Sequence, residues 1–426
     1  MLKKIFFLFF SMFLNAQGYT SYFTGNSTNI TTQTQFGVCL MGGASEHDEA
    51  MKWLLQKANG GDVVILRSSG SNGYNNYLFS ELGVVVNSVE TLVITSVAGA
   101  TNPYVLNKVA NAEMLWFAGG DQWNYVSFFK DNALEDLLNQ HINIKNAPIG
   151  GTSAGMAILS GKYFNAQNGS ITSAQAMNNP YHPNVTIGYD DFLSVPFLND
   201  VITDTHYDNP DRRGRQSTFI ARLKNDLNVN VKGIAANEYV AICIDENGKA
   251  QVFGDYPAYQ EFAYFVQANC SNPNPIENIQ ANQPLTWNYN GQALKVYKVP
   301  GTMNGSHFFD LSNWYNGNNS GGSWENWSVN NGVFDSVVGT PIDCALSLFD
   351  FKKYDFKVIP NPFSNRFFVE GITLAKILIF DLQGRLVLQT QVISEEFIET
   401  SQLNSGIYTI QIEEENQIQF KKLIKK

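Results

Sequence analysis

Between residues 36 and 160 the chain alternates short, uninterrupted apolar runs with longer stretches in which apolar positions recur every three or four residues. Phe36–Met41, Asp62–Leu66, Thr91–Ile94 and Met114–Phe117 are of the first kind, too short for helices, and they predict strands buried on both faces. Glu46–Ala58, Tyr104–Ala110 and Asn124–Gln140 carry the helical spacing. Doubly buried strands separated by helices predict an α/β fold, a mostly parallel sheet with helices on both faces. Ligands of such sheets gather beyond the carboxyl ends of the strands. Gly42-Gly43, Gly119-Gly120-Asp121-Gln122 and Gly151-Thr152-Ser153-Ala154-Gly155 all fall at such ends.

Outside this region the pattern changes. Residues 18–35 are rich in Ser, Thr and Asn and predict a polar surface arm. After residue 272 the composition shifts to Asn, Gly, Trp and Tyr, predicting hairpins and loops appended to the sheet, with Trp314, Trp324 and Trp327 as packing residues or, alternatively, a carbohydrate-stacking surface. Val358-Ile359-Pro360-Asn361-Pro362-Phe363, Lys376–Val387 and Leu403–Ile412 then read as short strands with tight turns, a small C-terminal β-sandwich. At the other end, basic Lys3-Lys4 followed by apolar Ile5–Leu14 has the form of a cleaved signal peptide, too short to span a bilayer comfortably. The expected organisation is a signal peptide over 1–16, a catalytic α/β domain over 17–271, a β extension over 272–345 and a β module over 355–426.

A net charge of −10, with no extended Lys/Arg cluster, excludes a nucleic-acid partner. No later segment is apolar enough for a transmembrane span. Of the four cysteines, Cys39 and Cys243 sit in strand-like apolar runs and read as small hydrophobes, while Cys270 and Cys344 bracket a loop-rich region and are the better pair for a bridge.

The G-x-S-x-G core of residues 151–155 suits a strand-to-helix turn that holds a serine hydroxyl outward, because side chains at the flanking positions would crowd the turn. A structural glycine turn is the competing reading. A nucleophilic Ser153 needs a base and a group that orients the base. Among the five histidines, His206 follows apolar Val201-Ile202 at a strand end and precedes Arg212 and Arg215, which makes it the best base. Glu238, a lone carboxylate between two apolar runs, is the best orienting acid, since burying a carboxylate is unfavourable unless it is hydrogen-bonded. A water-facing turn residue is the alternative.

In order, Gly119-Gly120-Asp121-Gln122, Gly151–Gly155, Asp204-Thr205-His206-Tyr207 with Arg212 and Arg215, and Gly233–Glu238 resemble the motifs of the cyanophycinase family of serine peptidases, relatives of the aspartyl dipeptidases. The resemblance runs from about Phe36 to Phe265. It implies Ser153 as nucleophile, His206 as general base and Glu238 as orienting acid. It further implies backbone oxyanion donors at Ala154 and Gly120, and substrate contacts from Asp121, Gln122, Arg212 and Arg215. The substrate implied is cyanophycin or a related β-aspartyl peptide, with no metal and no cofactor, and a homodimer is left open. The chain departs from the family pattern at Thr205, Pro210 and Ala235-Ala236-Asn237. Aspartyl or isoaspartyl dipeptidase activity, and a catalytically inactive surface-binding protein on the same scaffold, are the rival functions. The pieces P-N-P-F, D-x-x-G-R and L-x-x-G-x-Y of the last seventy or so residues resemble the C-terminal sorting domain read by the type IX secretion machinery. That resemblance implies export through the periplasm to the cell surface or medium.

Overall fold

The computed structural model describes residues 17–270, 274–315, 317–341, 356–414 and 417–426. The expected signal peptide and Cys344, one half of the expected bridge, lie outside them. The chain divides into two compact units between Cys344 and Ala345.

The larger unit is built on two sheets. The first has nine strands in the order Tyr19–Gly25, Ser88–Ile94, Asp62–Arg67, Met114–Phe117, Ile149–Thr152, Val38–Met41, Ala241–Ile244, Lys249–Phe253 and His307–Asp310. The run from Ser88–Ile94 to Val38–Met41 is parallel, and the outer pairings are antiparallel. The expected mostly parallel sheet is therefore corrected to a mixed one. The physical reason is connection length: Asp245–Gly248 joins two neighbouring strands and is far too short for a crossover, so only an antiparallel return is open to it.

The second sheet has eight strands, Val333–Val338, Ser323–Asn330, Leu294–Pro300, Phe262–Ala268, Lys232–Ala236, Val201–Asp204, Lys162–Phe164 and Ile187–Tyr189 in spatial order. Only its pairings on either side of Val201–Asp204 are parallel. Residues beyond 272 supply strands to both sheets, Leu294–Pro300 beside Phe262–Ala268 and His307–Asp310 beside Lys249–Phe253. Trp314 and Trp327 are buried in these layers, so their role is packing.

Alternation along each strand decides what lies between the layers. Val64 and Leu66 share a core with Val201, Ile234 and Phe265 of the second sheet and with Val105, Tyr125 and Leu134 of three helices. Val63 and Ile65 face the other way, onto Met51, Leu54 and Leu55 of the helix Asp48–Lys57. The far face of the second sheet, with Ile202, Ala235 and Val266, is covered by Phe219, Ile220 and Leu223 of the helix Arg213–Leu227.

Two local expectations are corrected. The polar arm contains the strand Tyr19–Gly25, which pairs antiparallel with Ser88–Ile94. As an edge strand it needs few buried residues, and Ser21 finds the carboxylate of Glu90 at 2.6 Å. The single helix expected over 124–140 is two, Gln122–Phe129 and Ala133–Asn143, divided where Asp131 takes φ 60° and Asn132 caps the second helix by accepting the Leu134 N–H.

The smaller unit has a three-stranded and a four-stranded sheet that contribute to one core, Phe367 and Val369 from the first and Ile377, Ile379, Ile410 and Ile412 from the second. Its sequence motifs are local devices. Asp381 accepts the Gln383 and Arg385 N–H groups and pairs with the Arg385 Nε at 2.8 Å, closing a hairpin turn with Gly384 at φ 77°. The Tyr408 hydroxyl donates to the Asn404 carbonyl at 2.7 Å. Among the described residues no helix is long and apolar enough to cross a membrane.

His141 is buried on the helix Ala133–Asn143, with Nε2 3.1 Å from the Pro148 carbonyl, on the chain leading into the strand Ile149–Thr152. Burial lowers its pKa to about 4, so the neutral ring is native. A folded-state value below the unfolded 6.5 means full stability above pH 6.5 and progressive loss as pH falls toward about 4, on the order of 3 kcal/mol in all. Urea unfolding at pH 7 and at pH 4.5 checks this: His141→Gln, which keeps a donor for Pro148, is expected to narrow the stability difference between the two pH values.

Candidate active site

The strand Ile149–Thr152 ends against a short helix, Ala154–Ala157, and Ser153 forms the turn between them with φ 52° and ψ −115°. A non-glycine residue there is strained by about 1–3 kcal/mol and persists only if its surroundings hold it. They do: the Ser153 N–H donates to the Met41 carbonyl at 3.0 Å. The flanking glycines are required by contact. A Cβ on Gly155 would lie 2.2 Å from the Phe117 carbonyl oxygen, and one on Gly151 would lie 2.6 Å from the Gly155 carbonyl carbon.

The second sheet brings the other two residues. His206 follows the strand Val201–Asp204 and Glu238 follows Lys232–Ala236, neighbours in parallel register. The His206 Nε2 lies 2.8 Å from the Ser153 Oγ, and its Nδ1 lies 2.6 Å from the Glu238 Oε1. The backbone fixes this chain of contacts: His206 N–H donates to the Gly42 carbonyl at 2.7 Å, and Glu238 N–H to the Asp208 carboxylate at 3.0 Å. Asn209 Nδ2 lies 3.4 Å from the second Glu238 oxygen. The bond from His206 holds the Glu238 carboxyl below the usual carboxylate range. A folded-state value below the unfolded one stabilises the fold above the ordinary carboxylate pKa, an effect lost as pH falls through the lowered value.

A cavity of about 200 Å³ opens beside Ser153 and His206, walled by Gly120, Gln122, Arg212 and Arg215 among others. The two arginines differ in what they have left to offer. Arg215 is buried and forked onto the buried Asp204, Nε to Oδ2 at 2.8 Å. Arg212 donates through Nη1 to the Thr205 carbonyl at 2.9 Å, but its buried Nε has no hydrogen-bond partner. Burial, and then the charge of Arg215, push its pKa down. Gln122 is held by its Nε2 at 3.1 Å from the Phe164 carbonyl. Asp121 caps the helix Gln122–Phe129 by accepting the Trp123 N–H at 2.9 Å and is not among the cavity's lining residues. Gly120 takes φ 152°, and a Cβ on its neighbour Gly119 would stand 3.5 Å from the Ser153 Cβ, so this backbone passes close to the hydroxyl. The Ala154 N–H is the first of its helix, where no intrahelical acceptor is available.

Sequence reasoning did not assign Asp204, Asp208 or Asn209, which neutralise Arg215 and hold Glu238. Their signal was present in the polar cluster around His206, but partners of polar side chains are not legible in order along the chain. Gly42 and Gly43 were legible as strand-end glycines, not as what they are here: a Cβ on Gly43 would lie 2.4 Å from the His206 Nε2, and one on Gly42 2.0 Å from the Asn237 carbonyl oxygen.

Residues 49–252 match the model of Peptidase family S51. The match takes in Ser153, His206 and Glu238. Residues 357–426 match a secretion system C-terminal sorting domain, a mark of secretion or of the cell surface. Cyanophycinases of Trichormus variabilis and Synechococcus elongatus are each 25% identical over 177 residues, 42% of this chain and 53% and 49% of theirs. The chain thus spans about half the length of the curated relatives it matches. A crystal structure of a peptidase from an acI-B1 Actinobacterium overlaps 54% of this chain and 94% of its own, at TM-score 0.40 and 15% identity.

The packing of Gly43 gives a direct test of the geometry. Nuclear magnetic resonance of the wild type is expected to reveal a strongly downfield Nδ1 proton from the short His206–Glu238 bond. Gly43→Ala, whose methyl would press on the imidazole, should lose that signal while its circular dichroism stays unchanged.

Proposed function

We propose that the protein is an exported serine-type peptidase that cleaves amide bonds through an acyl-enzyme on Ser153, with cyanophycin or a related β-aspartyl peptide as substrate. The observation that carries this reading is the unbroken series Ser153 Oγ, His206 Nε2, His206 Nδ1, Glu238 Oε1, with contacts of 2.8 and 2.6 Å. Ser153 sits on a nucleophile elbow, and its Oγ attacks the substrate carbonyl while His206 takes the hydroxyl proton. Glu238 keeps the imidazole in the tautomer whose Nε2 is free to accept. The negative oxygen that forms is held by the N–H groups of Ala154 and Gly120. One such donor is worth roughly 3 kcal/mol of barrier. Collapse of the intermediate breaks the amide bond, and His206 gives its proton to the leaving amine. Water then attacks the ester with His206 again as base, which frees the acid and restores Ser153.

Substrate choice rests on Arg212. Its partly unpaired guanidinium in the cavity beside Ser153 suits a substrate carboxylate, such as the free carboxyl of an aspartyl residue linked through its side chain. Arg215, committed to Asp204, supports that wall from behind. The small volume of the cavity also favours a second reading, an aspartyl dipeptidase acting on short peptides. Export follows from the sorting domain, through type IX secretion machinery that removes the module on the way.

Ser153→Ala should abolish both labelling by a fluorophosphonate and release of soluble β-Asp-Arg from cyanophycin, with thermal unfolding unchanged. Turnover by that variant would overturn the assignment. Glu238→Gln, which presents the wrong partner to Nδ1, should lower kcat by about 10³- to 10⁴-fold with little change in KM. Competition between cyanophycin and short aspartyl peptides separates the two substrate readings: a large preference for the short peptides selects the dipeptidase.

A further inference from the structure

Two cysteines outside the proposed active site face each other within the first sheet. Cys39 of the strand Val38–Met41 and Cys243 of the strand Ala241–Ile244 are direct partners in an antiparallel pairing. Such partners alternate between pairs that exchange backbone hydrogen bonds and pairs that do not. The Gly42 N–H donates to the Val240 carbonyl at 2.9 Å, which makes those two residues a bonded pair. Back along the ladder Leu40 and Ile242 are the next bonded pair, so Cys39 and Cys243 fall on a non-bonded one. At such a pair the Cα atoms stand about 4.5 Å apart and the side chains are at their closest. A disulfide needs Cα atoms roughly 4.4–6.8 Å apart, so the register meets that condition without any movement of the strands.

The side chains meet as well. Both are fully buried, on the face of the sheet that packs against Met51 and Leu54 of the helix Asp48–Lys57. The Cys243 Sγ lies 3.9 Å from the Ala50 carbonyl. Burial, and then contact with the Cys39 thiol, push the Cys243 pKa well above the ordinary thiol range, so in the closed fold this sulfur is neutral and unreactive. Both cysteines are free thiols in the structure, whereas Cys270 is disulfide-bonded. Among the described residues, each of the two therefore has only the other as a partner.

A second observation is independent of the strand register. The sorting domain at residues 357–426 marks the chain for secretion or the cell surface. Thiols stay reduced in the cytosol, but outside it disulfides form and persist. Two thiols held side by side in an exported chain are thus a different case from the two small hydrophobes that the sequence pattern suggests.

We propose that Cys39 and Cys243 become joined by a disulfide as the exported chain folds, stapling the strand that leads into Gly42-Gly43 to the strand that follows Glu238. The oxidant is the disulfide of a thiol–disulfide oxidoreductase outside the cytoplasm. One cysteine thiolate attacks that disulfide, giving a mixed disulfide and freeing one thiol of the oxidant. The second thiolate then displaces the oxidant's remaining sulfur and closes the Cys39–Cys243 bond. The chain loses two electrons and two protons, and both sulfurs of the oxidant leave as thiols. The exchange precedes burial, because the closed fold leaves neither sulfur exposed. Once made, the bond closes a loop of about 200 residues, and cross-links across long loops restrict the unfolded chain most. The cross-link rests on strand register and on secretion, and it does not need the peptidase reading.

The test is mass spectrometry of the exported protein, collected from the medium or the cell surface, denatured with N-ethylmaleimide in the absence of reductant and then digested. The expected result is a joined pair of peptides carrying Cys39 and Cys243, free of maleimide. Maleimide on these two cysteines in most of the molecules would overturn the cross-link. Thermal unfolding supplies a second measurement. Cys39→Val and Cys243→Val keep an apolar side chain of similar size, and each should lower the midpoint by roughly 5 °C. The double variant should fall no further, because either single change already removes the same bond. Midpoints within about 1 °C of the wild type in both single variants, the behaviour of two independent small hydrophobes, would overturn the proposal as well.

Discussion

The junction at Gly42-Gly43 is the constraint on which the arrangement depends. Ser153 is delivered by the first sheet, and His206 and Glu238 by the second. The two sheets meet at this site through one short stretch of backbone, where Gly42 accepts from His206, donates to the Val240 carbonyl at 2.9 Å and leaves no room for a side chain against Asn237. Ser153 in turn donates to Met41, the residue before it. A hydroxyl and an imidazole carried by different sheets are thereby brought to a hydrogen-bond distance by main-chain contacts, with the Glu238 carboxylate at 2.6 Å orienting the ring. Backbone contacts of this kind are short and directional, and they do not depend on rotamers.

Strain and close approach at the serine follow from the same junction. The positive φ of Ser153 is tolerated because the turn is bracketed by glycines that let Phe117 and Gly155 touch, and because Met41 anchors its N–H. His206 and Tyr239 also take positive φ, at 45° and 65°. Strained residues therefore cluster on the segments that leave the strand ends, where the chain must change direction to bring three side chains into line.

Charge is distributed with equal asymmetry. In the cavity beside Ser153, Arg215 is forked onto the buried Asp204, while Arg212 stands 4.0 Å from the same carboxylate and keeps a buried Nε without a hydrogen-bond partner. Glu46, Asp48, Glu49, Asp255 and Glu261 line a separate, larger cavity with no lysine or arginine among its lining residues. The net charge of −10 says nothing of this arrangement, because it averages over both.

The local pattern of the chain by itself determined that Asp62–Leu66 and Met114–Phe117 are buried strands, that Gly151–Gly155 is a tight turn carrying a serine, and that His206 and Glu238 follow apolar runs; each depends on neighbours within a few residues, which is the range over which propensity and periodicity act. It could not determine that half the first sheet is antiparallel, that Tyr19–Gly25 joins its edge, or that Leu294–Pro300 and His307–Asp310 extend the two sheets, because strand order is set by packing between segments distant in the chain. Nor could it distinguish Arg212 from Arg215. Both follow His206 closely in the chain, and only the folded position of Asp204 decides that Arg215 is hydrogen-bonded to it while Arg212 stands 4.0 Å away. The same holds for the acidic cavity, whose carboxylates come from residues 46–49 and 255–261, some two hundred positions apart, and line one space only when the strands Val38–Met41 and Ala241–Ile244 pair in register.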